Sequence, residues 1–326
     1  MKRCIAMILF SAFLLSGCTD IRERRLPDLL AVDTGSPVRF AAHSTQDDSV
    51  ITAAADTALQ MPEALQNTDG TEISTGHLTM LAVSGDPCAV IESYLQAQYL
   101  APTCKVLSVQ CSACAMLKNG VMPAPAELQA AVDTGMLPCR TADTVIGDLW
   151  GGSGITALPV LENGSLRLQL ADRQQSYSVL SEDACRGLAL LGARWKRFAF
   201  TADGTCFRLK SSRLFIKTSQ EHEKLQITVS GSLITEPQLN AAAAARLTDM
   251  LRAAIEETAI QNGADVLFLL ETALRDGSAD GAQSQADWRM QLRSAECRIM
   301  LPSLAQSGAA GAAGLAVPAQ PPPEPD

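Results

Sequence analysis

Cys111-Ser112-Ala113-Cys114 has the spacing at which two thiols can exchange electrons, with a strand read over Lys105 to Gln110 and a helix expected to follow. A helix N-terminus lowers the pKa of an attacking thiol, as a thioredoxin-type site requires. No aromatic residue precedes Cys111, and Cys88, Cys104, Cys139, Cys185, Cys206 and Cys297 compete as partners, so a structural disulfide is the simpler reading of this pair. Zinc asks for four soft ligands at compact spacing, and the nearest cysteines, Cys104 and Cys139, add no second paired spacing. Gly151-Gly152-Ser153-Gly154 places Ile155 where a hydrolase nucleophile elbow needs its last glycine, and it reads as a flexible turn. His43 and His222 lie outside apolar periodic segments, so any catalytic histidine pair would rest on His77. A hydrogen-bonded histidine at the start of a strand is the plainer role for it. These residues predict neither an enzyme nor a metal site.

A different chemistry stands at the amino terminus. Met1-Lys2-Arg3 is positive, Ile5 to Leu15 is apolar, and Leu15-Ser16-Gly17-Cys18 closes the run. That is the order of an exported lipoprotein signal, and the tetrapeptide resembles the bacterial lipobox. Cleavage would remove residues 1–17 and leave Cys18 as the carrier of a covalent diacylglycerol, the only non-protein group expected. Several acyl chains hold a protein to a bilayer where one is marginal. The apolar stretch Cys4 to Leu15 is 12 residues, against the roughly 20 that a spanning helix needs. With 26 basic and 35 acidic residues the chain carries a formal charge of -9. Phosphate binding needs clustered cations, so nucleic acid is excluded as a partner, and the body is expected to stand off anionic headgroups. In an exported chain, the eight cysteines left beyond Cys4 and Cys18 point to disulfides whose pairing the sequence does not fix.

The elements that would position these residues read as α+β, in several domains with antiparallel sheet. An N-terminal α/β region is expected over 18–160. It opens with a strand at Leu29 to Asp33, followed by a loose alanine-rich helix from Val50 to Leu65 and a strand around Leu81 and Val83. Asp86 before Pro87 predicts a helix N-cap, with Val90, Ile91, Tyr94 and Leu95 on one face. A second region is expected over 165–308, because alternation sharpens at Leu166, Leu168 and Leu170. Leu214 and Ile216, then Leu225 to Leu233, predict a hairpin. A long helix from Thr235 and Pro237 should stop at Gly263, and a last strand should lie between Met290 and Leu301. Residues 309–326, rich in Ala, Gly and Pro, are expected to be disordered.

The order of short segments carries a resemblance. Cys18-Thr19-Asp20-Ile21-Arg22-Glu23, then Thr75-Gly76-His77-Leu78, then Arg186-Gly187-Leu188-Ala189, Gly263-Ala264-Asp265-Val266-Leu267, Trp288 and Gly308 follow one another along the chain. In that order they resemble the Ger(x)C family, the lipoprotein C subunits of spore germinant receptors. Thr19 stands where the family has tryptophan, and the eight mature cysteines exceed its usual number. The resemblance implies a mixed α/β, non-catalytic subunit, anchored through Cys18 to the outer face of the cell membrane, which is the inner membrane in a spore. It implies assembly with integral-membrane A-type and B-type receptor subunits, and makes His77, Asp265 and Trp288 candidate structural or interaction residues. Two other readings stay open: a free envelope lipoprotein that captures a solute or peptide, and an exported thiol oxidoreductase using Cys111 and Cys114.

Overall fold

Leu29-Leu30-Ala31-Val32 and Met80-Leu81-Ala82-Val83 are unbroken apolar runs, the pattern of strands covered on both faces. All eight residues are buried, and the two runs pair in parallel. The computed structural model describes residues 24–301 apart from 163, 175, 223 and 280–283. The expected signal peptide, the Cys18 anchor and the 309–326 tail lie outside the described residues.

The first unit begins with β1 (Arg24–Arg25), β2 (Leu29–Asp33), β3 (Val38–Ser44) and β4 (Ser49–Ala55). There follow α1 (Met61–Asp69), β5 (Glu72–Ile73), β6 (Met80–Ser84), α2 (Pro87–Gln96) and β7 (Lys105–Val109). Helices α3 (Ala113–Lys118), α4 (Pro125–Asp133) and α5 (Ala142–Trp150) lead on to β8 (Thr156–Glu162), β9 (Ser165–Ala171) and β10 (Ser176–Val179). Eight of these strands form one sheet in the order β10-β9-β8-β7-β6-β2-β3-β4. Its centre is parallel and its two flanks are antiparallel. Side chains alternate across it. Ala31, Met80, Ala82 and Leu107 face a core closed by Leu117 of α3 and Leu128 of α4. Leu30, Val32, Leu81 and Val106 face a second core closed by Leu65 of α1, Ile91 of α2 and Val145 of α5.

The second unit contains α6 (Glu182–Gly192), β11 (Ala199–Ala202), β12 (Thr205–Glu221), β13 (Lys224–Glu236) and α7 (Ala241–Ile255). It ends with α8 (Leu269–Arg275), α9 (Gln285–Arg293) and β14 (Glu296–Met300). The sheet order is β11-β12-β13-β14, antiparallel except that β14 runs parallel to β13. Leu247, Met250 and Leu251 of α7 and the fully buried Trp288 of α9 pack on one face. The molecule is thus mixed α/β in two sheet-centred units.

Several boundaries differ from those the sequence suggests. The strand at Leu166 does not open the second region: β9 pairs along its whole length with β8, so the first sheet continues to Val179. Sharper alternation marks the change from a doubly covered centre to an antiparallel flank, not a domain border. The helix expected from Val50 is instead β4, held in register against β3, and α1 begins at Met61 with Pro62 in its first turn. Tertiary pairing overrides the helix propensity of alanine there. The long helix starts at Ala241, capped by Asn240, because β13 occupies the chain through Glu236. It continues as a π turn over Glu256–Ile260, and Gly263, at φ 66°, follows.

Candidate functional site

The densest buried polar cluster sits where the two units meet. Asp265, 4% exposed, accepts hydrogen bonds from the backbone N–H groups of Leu269 and, at 2.9 Å, of Leu270, so its carboxylate caps the start of α8. The Trp288 indole N–H donates to the same carboxylate at 2.8 Å. Burial pushes the Asp265 pKa up, against the lowering effect of these three donors. The backbone N–H of Asp265 donates to Ser153 Oγ at 2.8 Å, and Ser153 O accepts from Arg289 Nε of α9. Gln285 Nε2 donates to Gly151 O at 3.2 Å. Gly152 lies so near Asp265 that a Cβ there would sit 2.5 Å from its Oδ2, and its φ of 34° also favours glycine. Gly151 to Gly154, read from sequence as a flexible turn, is therefore a pinned joint between the units.

Beside it, Arg140 and Asp148 form a buried ion pair that also takes in Thr156. Arg140 Nη2 donates to Asp148 Oδ2 and, at 3.0 Å, to Thr156 Oγ1; its Nε donates to Ala157 O at 2.9 Å. Burial raises the Asp148 pKa, opposed by the Arg140 charge and hydrogen bonds. Both carboxylates are held in place by fixed donors, which suits a structural joint.

Of the residues singled out in the sequence, the structure brings Asp265, Trp288 and the Gly151 to Gly154 segment together, and His77 and the Cys111/Cys114 pair take no part in that cluster. Cys18 lies outside the described residues. His77 is exposed in a 3-10 turn over Thr75–His77, ahead of β6. The histidine with a network is His43, in β3, bonded to Asp28 at 2.7 Å and Asp48 at 3.1 Å. Its partial burial favours the neutral ring, but these two carboxylates outweigh that and raise its pKa above 6.5. The sequence reading missed it because the strand that carries it was not recognised.

The eight described cysteines are free thiols, contrary to the disulfides expected of an exported chain. Cys88 in α2, Cys185 in α6 and Cys104 just before β7 are buried, where cysteine packs as a small apolar residue. Cys111 and Cys114 are not joined either. Cys114 is buried and its thiol is pushed up to about 12, first by burial and then by the Asp33 carboxylate. Asp33 accepts from Ser112 Oγ at 2.6 Å and from Ala113 N at 2.7 Å. The Asp33 carboxylate thus occupies the N-terminus of α3 and works against a thiolate at Cys114, while Cys111 is exposed.

The outer face of the second sheet is the most distinctive exposed surface. On β12, Arg213, Phe215 and Lys217 point outward; on β14, Arg298 and Met300 do; on β13 between them stand Thr228, Ser230 and Ser232. Phe215 is 59% exposed, Met300 51% and Ile234 61%. Lys210 pairs with Glu236 and Lys224 with Glu296 at its ends. Of these side chains, Phe215, Met300, Arg213 and Arg298 are of the types enriched in protein interfaces.

Among the described residues no helix is long and apolar enough to cross a membrane, and no group of three or more His, Cys, Asp or Glu side chains could hold a metal ion. No family model matches the chain, and no curated protein matches it. Among solved structures, it is similar to the crystal structure of the GerBC protein at 12% identity and a TM-score of 0.49, over 83% of this chain and 95% of that one.

Proposed function

We propose that this protein is a lipid-anchored, non-catalytic subunit of a spore germinant receptor, tethered through Cys18 beside integral-membrane A-type and B-type subunits. The observation that carries the reading is the meeting of two of the segments behind the Ger(x)C resemblance. Gly263 to Leu267 and Trp288 lie 23 residues apart between Asp265 and the indole, and they join in one buried hydrogen bond. The exposed face around Phe215, Met300 and Arg298 supports the reading from the other side, since a subunit without chemistry of its own acts through its contacts. A bilayer tether raises the effective concentration of such a face near membrane companions.

The anchor is tested by fractionating spores that make the protein with Cys18 intact or as Cys18→Ala. The intact protein is expected in the membrane pellet, with a mature-chain mass increased by diacylglycerol or a further acyl chain, and the variant in the soluble fraction. An unmodified wild-type chain in the soluble fraction would contradict the proposal.

A further inference from the structure

A cavity of about 250 Å³ opens between the two units. Leu137, Leu188 and Val266, all buried, line it together with the half-buried Ile216. Its lining includes Trp195 and Phe268; Phe268 is 48% exposed and held at φ 54°, and Trp195 packs edge-on against Phe198 at 5.7 Å. The polar part of the lining is cationic. It contains Arg140 and Arg194 and no Asp or Glu, in a chain whose acidic residues outnumber its basic ones. Asp148 neutralises Arg140, so Arg140 offers donors and little net charge. Arg194 is exposed and has no ion pair among the described residues, whereas its neighbour Lys196 is tied to Asp133 at 2.9 Å. The uncompensated charge at this cavity is therefore that of Arg194.

Apolar walls with one exposed, uncompensated cation in the lining select a molecule with a hydrocarbon body and a single negative end. The volume lies just below the usual range of roughly 300–1,000 Å³ for ligand pockets, which limits the occupant to a small molecule. We propose that the cavity binds a small apolar carboxylate, its hydrocarbon part against Leu137, Leu188 and Val266 and its carboxylate held by Arg194. Because β12 and the Val266 to Phe268 segment line the cavity on one side and Leu137 and Ala157 of the first unit on the other, an occupant would bridge the two units. The inference goes beyond the receptor reading and does not depend on it.

The test is calorimetric titration of the full-length chain with 3-phenylpropionate, 3-phenylpropanamide and 3-phenylpropylamine. The acid is expected to bind, the amide at least about tenfold more weakly, and the amine not at all, since only the carboxylate can take a bidentate, charge-assisted pair of hydrogen bonds from Arg194, and tenfold corresponds to about 1.4 kcal/mol. Arg194→Gln should weaken binding of the acid at least about tenfold and leave the melting profile unchanged, because the side chain is exposed. Ala189→Phe, which places a ring in the cavity, should abolish it. Absence of binding by the acid through the millimolar range, equal binding of acid and amide, or an unchanged affinity in Arg194→Gln would each overturn the proposal.

Discussion

Asp265 holds three donors with one carboxylate, and each of them would be costly to leave buried alone. Asparagine at this position would turn an NH2 group toward an N–H, so Asp265→Asn should lower the unfolding free energy by about 1–3 kcal/mol. Trp288→Phe removes the indole donor and opens space in the core of the second unit. In a double-mutant cycle read by urea unfolding, the pair should show a coupling of about 0.5–3 kcal/mol; additivity within about 0.5 kcal/mol would mean that the hydrogen bond does not join the two segments. At this scale the sequence was informative where partners are local. Asp86 was readable as the cap of α2 because its target, the Ala89 N–H, is three residues on. The Asp33 cap of α3 was not, since its acceptor lies 80 residues from Ala113, and missing it made Cys114 look more reactive than its surroundings allow. Ser153 and Asp265 are 112 residues apart, and no local pattern announces that bond.

Among the elements, α6 and α7 cross most closely at Gly187. A Cβ there would meet Met250 O at 2.1 Å and the Cβ of Ala254 at 2.8 Å. Alanine is the better helix former by about 1 kcal/mol, yet the obstacle is backbone, and overpacking costs about 1–3 kcal/mol or more when the helices must move. Gly187→Ala should therefore lower the melting temperature. Gly147→Ala in α5, where nothing lies within 4 Å, should raise stability by about 0.5–1 kcal/mol. Thermal unfolding followed by circular dichroism separates the two, and a stabilised Gly187→Ala would show that the helices do not meet there. Elements with a regular period were legible: β7, the β12-β13 hairpin and the body of α7 fall where apolar spacing puts them. The strand β4 was not, because Ser49–Ala55 reads by composition as helix and becomes a strand only by pairing with β3. Nor was the parallel centre of the first sheet, whose continuous apolar runs carry no direction.

Over the whole molecule, acidic excess hides an uneven distribution. The outer face of the second sheet gathers Arg213, Lys217 and Arg298 around Phe215 and Met300, so an overall charge of -9 does not describe the surface the protein presents there. The two units are also less separate than a boundary near 160–165 suggests. Leu188 of α6 belongs to the first core and Leu190, two residues on, to the core of the second unit. A body locked in this way can transmit a contact on one unit to the other, which the proposed receptor role requires. The account depends above all on its companions. Isolation of the protein through an affinity tag from detergent-solubilised spore membranes should bring with it a multi-span transporter-like subunit and a second membrane-embedded subunit in fixed proportion, whereas recovery of the lipidated chain free of any integral-membrane protein would contradict it.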